Sequence, residues 1–318
     1  MKHYADREYL HTRIHAMKGR LMRLRDYASF AREWETARND DGRVNENEVV
    51  HNKERLFEEQ IQGVMILAEA SDYHSPLFFA FLRYFEIQNC GTLMAASFGR
   101  DTPGQWYPIG RYALVERSLL EAPPSLPFLR KLLKGTYLEE ICGEAGSYER
   151  LQIRMEECAL TQVLAAAETL DHRDRRLVME MTAMRVALET TLRRRRLERY
   201  YEWDTDKIEK AMAFMNRIPA PDLARYVTVM EELFQREGEA IKKDRGMEPA
   251  LDDIEYRLEQ YYHQWISHFF YRDFHSICSV VAYLWLVLRQ VRNLFGVVDG
   301  RRFGLSQEAI LGRLVSES

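Results

Sequence analysis

The sequence predicts an all-α protein, and three observations carry that reading. Apolar residues recur at helical spacing in almost every long segment, no segment shows sustained apolar–polar alternation, and several apolar stripes open just after a proline. Tyr27, Phe30, Ala31 and Trp34 fall at i, i+3, i+4 and i+7, with Asp26 placed to cap that helix. Leu56, Phe57, Ile61, Val64, Met65 and Ala68 trace a second stripe. A third, Leu77, Phe78, Phe81, Leu82 and Phe85, follows Pro76. Leu223, Tyr226, Val227, Met230, Leu233 and Phe234 follow Pro221, which suits a first helical turn. Leu251, Ile254, Leu258, Tyr261, Tyr262, Trp265 and Phe269 follow Pro249. Turn-forming residues place loops at 39–47, 99–105, 122–127, 142–146, 219–221, 242–249 and 298–304. None is long enough to act as a free linker, so compact subdomains are expected.

The chain has 318 residues, 46% hydrophobic and 30% charged, which suits a folded globular protein and argues against wholesale disorder. The net charge of −4 leaves no global basic field for nucleic acid or anionic lipid. Arginines outnumber lysines 36 to 9, which reads mainly as genome composition. Cys90, Cys142, Cys158 and Cys278 form no C-x-x-C pair and read as unbridged, buried thiols in a reducing compartment, with no zinc. The polar N-terminus does not resemble a signal peptide. The most apolar run, Ile277 to Leu288, falls short of the ~20 residues that span a bilayer. It reads as a core helix, with no direct membrane span.

The spacings that catalysis requires are missing. There is no G-x-x-x-x-G-K-[ST] phosphate loop, no G-x-G-x-x-G after a strand, no H-E-x-x-H, no G-x-S-x-G and no paired Glu-x-x-His helices. No catalytic residue, metal or cofactor is therefore expected. His11 and His15 sit at i, i+4, with His3 two turns earlier, but further ligands are lacking beyond Asp6. Polar or interfacial histidines are the favoured reading. Arg193 to Arg196 point around a whole helix circumference, so they make no flat patch, and Glu189, Glu198 and Glu202 lie within pairing reach. A solvated face is favoured over nucleic-acid binding. The aromatics Tyr261, Tyr262, Trp265, Phe269, Phe270 and Tyr271 read as core, with a surplus that hints at a second buried face.

An internal echo links Arg83-Tyr84-Phe85-Glu86 to Arg199-Tyr200-Tyr201-Glu202, each read as ending a long helix before a new helix start; Arg289 to Asn293 is a third instance. Asn89 and Asn293 at such junctions stitch helices or recognise a partner, the structural role being favoured.

Tyr283 to Ile310 reads YLWLVLRQVRNLFGVVDGRRFGLSQEAI. Tyr283, Leu284, Arg292, Asn293, Leu294, Gly300, Gly304, Leu305, Ser306, Glu308 and Ile310 match a pattern Y-L-L-x-K-E-x-E-I-R-N-L-R-x-I, a glycine turn, then G-L-S-x-E-x-I. With these residues the chain resembles the C-type subunit of archaeal-type and bacterial V-type rotary ATPases, the counterpart of the eukaryotic d-type subunit. Tyr9 to Met22 (YLHTRIHAMKGRLM) is similar to the opening of that family, Y-x-x-x-R-V-R-A-M-x-x-x-L-L, and Tyr84 to Met94 (YFEIQNCGTLM) to its Y-D-V-x-N-L-K-T-L-L. The chain departs from the pattern at Leu288 and Gln290, where the family has acids, at Gly91 in place of lysine, and at Phe295 in place of arginine.

The resemblance implies three similar helical subdomains, approximately 1–110, 111–220 and 221–318, in a pseudo-threefold, funnel-like arrangement. It implies a non-catalytic component that couples the central stalk to the membrane proteolipid ring for ion transport. Such a component is cytoplasmic and peripheral at the inner face of the plasma membrane, and binds no nucleic acid. Arg13 and Arg292 match signature positions, while Arg83 and Arg199 come from the internal echo alone; all four are candidate stalk contacts. The alternative for each is a stitch between neighbouring helices. Asn89, Asn293, Leu294, Gly300, Gly304 and Ser306 are the expected structural positions. A competing reading is a soluble helical protein–protein interaction scaffold with no ATPase connection, favoured by the lost acids at Leu288 and Gln290.

Overall fold

The computed structural model describes residues 2–36, 42–70, 72–98, 105–143, 148–213, 223–272 and 276–316; for 2–7, 142–143 and 148–149 it describes the backbone alone. These residues form α-helices and no strand: α1 (Lys2–Lys18), α2 (Leu24–Glu33), α3 (Glu46–Ala70), α4 (Ser75–Ser97), α5 (Leu126–Leu132), α6 (Glu139–Gly143), α7 (Tyr148–Glu168), α8 (His172–Tyr201), α9 (Thr205–Met212), α10 (Leu223–Arg245), α11 (Leu251–Arg272), α12 (Ile277–Arg302) and α13 (Gln307–Leu311). Two 3-10 turns, Gly110–Tyr112 and Arg117–Leu120, punctuate the stretch before α5. The all-α expectation holds.

The chain parts into two compact units. The first comprises Met1–Thr169 and Val287–Leu314, the second Leu170–Leu286 and Val315–Ser318. In the first, α4 packs along α3 and α7, and α1 lies on α3. The stripe Leu77, Phe78, Phe81, Leu82 and Phe85 is buried, and Phe57 of α3 meets Phe85 edge-to-face at 4.7 Å. Gly91 permits close approach of α7, because a Cβ there would lie 2.4 Å from Met155 Sδ. Lysine, the family residue at this position, would have to displace that side chain.

The second unit is built on α8, α10 and α11 in mutual contact, with α9 against α8. Its central polar feature is Arg185, 6% exposed, whose Nη1 donates to both carboxylate oxygens of Glu259 at 3.1 Å. Its Nη2 reaches Glu189, and the guanidinium lies 5.4 Å from the Tyr262 ring centroid and 5.6 Å from that of Trp285. The aromatic series of α11 is core, as expected, at Tyr262, Phe269 and Phe270, whereas Tyr271 is exposed.

Several sequence expectations are corrected. Asp26 is not the N-cap residue of α2, which is Arg23, but it takes part in capping from the third helical position. The helix starts earlier, and Asp26 in its first turn accepts from the Arg23 N–H at 2.8 Å. The loops expected at 242–249 and 298–304 begin later, because α10 runs to Arg245 and α12 to Arg302. The two halves of the internal echo are not equivalent. Phe85 and Glu86 are buried in the middle of α4, whereas Tyr200 and Tyr201 are exposed at the end of α8, where Glu202 takes φ 53°. Of the three expected acids, Glu198 pairs within the arginine run, and Glu189 reaches back to Arg185. Arg195 bonds both Glu198 and Glu231, Arg194 bonds Glu209 at 2.6 Å, and Arg196 bonds Glu255. Arg193 is buried, and burial together with neighbouring Arg196 lowers its pKa to about 10.

Helix α12 is long and apolar enough to cross a membrane by length and composition, but 72% of its most apolar window is buried inside the protein. It serves as a core helix, as the sequence suggested. Cys90, Cys158 and Cys278 are buried and form no disulfide among the described residues, and the Cys142 side chain lies outside them.

Candidate functional site

The signature segment forms a clasp at the C-terminal end of α12. Gly304 adopts φ +70°, a conformation that costs a glycine little. The Leu305 N–H donates to the Gly300 carbonyl at 2.9 Å and the Gly304 N–H to the Arg301 carbonyl at 3.0 Å, the paired bonds of a Schellman stop. Two residues on, the Ser306 hydroxyl accepts from the Ala309 N–H at 3.1 Å and starts α13. The turn folds α13 back onto α12 so closely that a Cβ at Gly300 would lie 2.6 Å from Ile310 Cγ1. Leu294, Val297, Ile310 and Leu314 enclose Tyr27 and Ala31 of α2 in one buried cluster. Gln307 Nε2 donates to the Ala28 carbonyl at 3.2 Å.

Asn293 is 6% exposed and its side chain bonds the Tyr27 phenol, which burial pushes well above its ordinary pKa. Asn89 is fully buried. Its Nδ2 donates to the Tyr107 carbonyl and its Oδ1 accepts the Tyr107 N–H, both at 2.8 Å. Neither asparagine sits at a helix junction, as the sequence had implied; both lie inside helices that continue past them. Asn89 pins the non-helical segment 105–109 to α4, and one turn earlier Glu86 does the same for a later part of that loop. Its Oε1 accepts the Leu114 and Val115 N–H groups at 2.6 and 2.8 Å. Burial raises the Glu86 pKa, against the lowering effect of those two backbone bonds. Glu86 was not singled out from sequence, although a lone acid among Phe85, Ile87 and Cys90 was a visible signal.

The candidate arginines are placed as follows. Arg292 Nη2 donates to the Tyr84 phenol at 3.0 Å, joining α12 to α4. Arg83 Nη1 donates to Gln162 Oε1 at 2.8 Å, joining α4 to α7, with its guanidinium 5.0 Å from the Tyr137 ring centroid. Arg13 bonds the Tyr9 phenol one turn back on α1, at 2.7 Å. Arg199, in the second unit, contacts the Pro249 carbonyl at 3.4 Å. Arg292 and Arg83 thus engage helix neighbours within the first unit while Arg83 keeps an exposed side chain.

The departures from the family pattern fall inside the first unit. Leu288 and Gln290 are 5% and 6% exposed. Gln290 Oε1 accepts from the Met22 N–H at 2.6 Å, and its Nε2 bonds Gln60. A neutral amide both donates and accepts there, which a carboxylate cannot do. Phe295 stacks on Tyr107 at 6.1 Å, and Lys53 Nζ sits 5.4 Å from its ring while pairing with Asp299 at 2.6 Å. Where the family has an arginine, the cation comes here from α3.

His11 is fully buried edge-to-face against His74, with centroids 5.9 Å apart, and no group of metal-binding side chains occurs among the described residues. The side chains of His3 and Asp6 lie outside them.

The signature glycines and serine shape the turn between α12 and α13, the two asparagines bond groups distant in sequence, and the marked arginines lie at helix surfaces. The family model of the ATP synthase (C/AC39) subunit matches residues 43–313, and the chain belongs to that family. It is accordingly a subunit of the rotary ATPase type, in a family that is non-catalytic. Among curated proteins the chain has no match.

Proposed function

We propose that this protein couples the central stalk of a V-type or archaeal-type rotary ATPase to the membrane proteolipid ring. In this reading its three subdomains surround a funnel that receives the stalk end. It works at the cytoplasmic face of the membrane, held there through the complex, and hydrolyses no ATP itself. Family membership across residues 43–313 is the observation that carries this reading. The intact clasp of Gly300, Gly304, Ser306 and Ile310 supports it, because the family's signature residues perform coherent structural work here. The lost acids do not favour a free-standing scaffold: they fall at buried positions, where Gln290 is satisfied within the unit.

Arg13, Arg83, Arg199 and Arg292 are the proposed stalk contacts, meeting carboxylates on the stalk end. A charge pair desolvated at the centre of such an interface costs about 2–5 kcal/mol when truncated, against at most about 1 kcal/mol for an exposed pair. Capture of separately purified stalk and proteolipid proteins tests the reading, comparing wild type with each Arg→Ala variant. Wild type is expected to retain at least one partner, and capture of neither overturns the proposal. Variants that bind as wild type but melt earlier would reassign those arginines to helix stitching.

A further inference from the structure

The short helix α5 is apolar on two faces and buries only one. Leu129 and the following Leu133, at 0% and 1% exposure, enter the core cluster beneath α4 and α7. Phe128 and Leu132, one helical turn apart, stand 51% and 42% exposed on the adjoining face. A helix apolar around most of its circumference is normally covered. Beside the uncovered pair, Arg130, Lys131 and Lys134 are all exposed, and neither lysine is held by a hydrogen bond or ion pair among the described residues. The nearest following acid in sequence, Glu139, turns its Oε2 to the Gly135 N–H at 2.7 Å.

From this juxtaposition we propose that α5 is a lipid-contact element, laying Phe128 and Leu132 into the interface of an anionic membrane while Arg130, Lys131 and Lys134 meet the headgroups. Charge complementarity selects the occupant: three cations beside two apolar side chains match anionic lipid. Patch size points the same way. A stable protein interface needs about 800 Å² per partner, more than one seven-residue helix offers, whereas reversible interfacial binding grows with whatever apolar area is buried and with attraction of basic side chains to anionic lipid. The inference does not depend on the stalk-coupling reading, because protein-free vesicles test it.

The full chain is sedimented with vesicles of phosphatidylcholine alone and of phosphatidylcholine mixed with phosphatidylglycerol. Binding is expected to the mixed vesicles and to be weak on the neutral ones. Lys131→Glu with Lys134→Glu should weaken partitioning about tenfold or more, and Phe128→Ser with Leu132→Ser should do likewise. Unchanged circular-dichroism melts would show that both double variants still fold. A Phe128→Trp variant gives a readout free of folding effects, its added fluorescence shifting to the blue on mixed vesicles. No binding to anionic vesicles, equal binding to both vesicle types, or no shift from the tryptophan would overturn the proposal. Unaltered sedimentation of both double variants would also overturn it, by placing the lipid contact elsewhere.

Discussion

Glu86 shows how a single side chain in this fold exchanges solvation for loop control. Its carboxyl is buried, one oxygen receives two backbone N–H groups, and burial raises its pKa. A carboxyl raised in the folded state favours the protonated form there. Its stabilisation is therefore full below the ordinary carboxylate range and is lost as pH rises through the raised value. Glu86→Gln keeps an acceptor for Leu114 and Val115 without the charge. The variant should equal or exceed wild type in urea stability in mildly alkaline buffer, with its advantage shrinking or reversing as pH falls. A variant that is weakest relative to wild type in alkaline buffer would contradict this. The candidate arginines belong to the same scale. Arg292 and Arg83 hold Tyr84 and Gln162 on neighbouring helices, so a surface role for either must coexist with a packing role.

The clasp of α12 and α13 makes Gly300 a spacing residue, not a flexible one. The position lies inside a helix, where glycine is a poor choice relative to alanine unless space demands it. Here a Cβ would meet Ile310 at 2.6 Å. Gly300→Ala should cost about 1–3 kcal/mol through overpacking despite its better helix propensity. Ile310→Ala, which removes the clashing Cγ1, should recover part of that loss in the double variant relative to the sum of the single effects, and thermal melts of the four proteins check the coupling. Additive effects would contradict the contact.

The helices themselves were legible in the sequence because burial imposes their period: the stripes on α2, α3, α4 and α11 are the buried faces. Their ends were less so. Asp-Gly at 299–300 reads locally as a turn, yet Val297 and Val298 are fully buried and Asp299 is tied to Lys53, so tertiary contacts carry α12 two residues past the glycine. Asn89 and Asn293 were read as structural, and their partners, a loop backbone and a tyrosine from α2, are distant in sequence and left no local trace. Glu86 left a trace that propensity reasoning passed over.

For the whole molecule, the family match makes the chain a subunit of the rotary ATPase type, and its described residues fold as helices. A coupling element between shaft and ring must resist deformation. Buried pins such as Arg185 with Glu259, and the tight seating of α13 on α12, are the kind of contact that supplies stiffness, because packed cores yield in discrete steps and not continuously. Arg185→Ala would remove the guanidinium that both oxygens of the buried Glu259 carboxylate accept from, at a cost of about 3–5 kcal/mol. The most direct test of the coupling account is to measure ATP hydrolysis and ATP-driven ion transport in the same membrane vesicles, from cells with and without this protein. The account predicts that deletion abolishes transport while the catalytic head still hydrolyses ATP, and that adding back the purified protein restores transport. Transport at wild-type rate in vesicles lacking it would contradict the account.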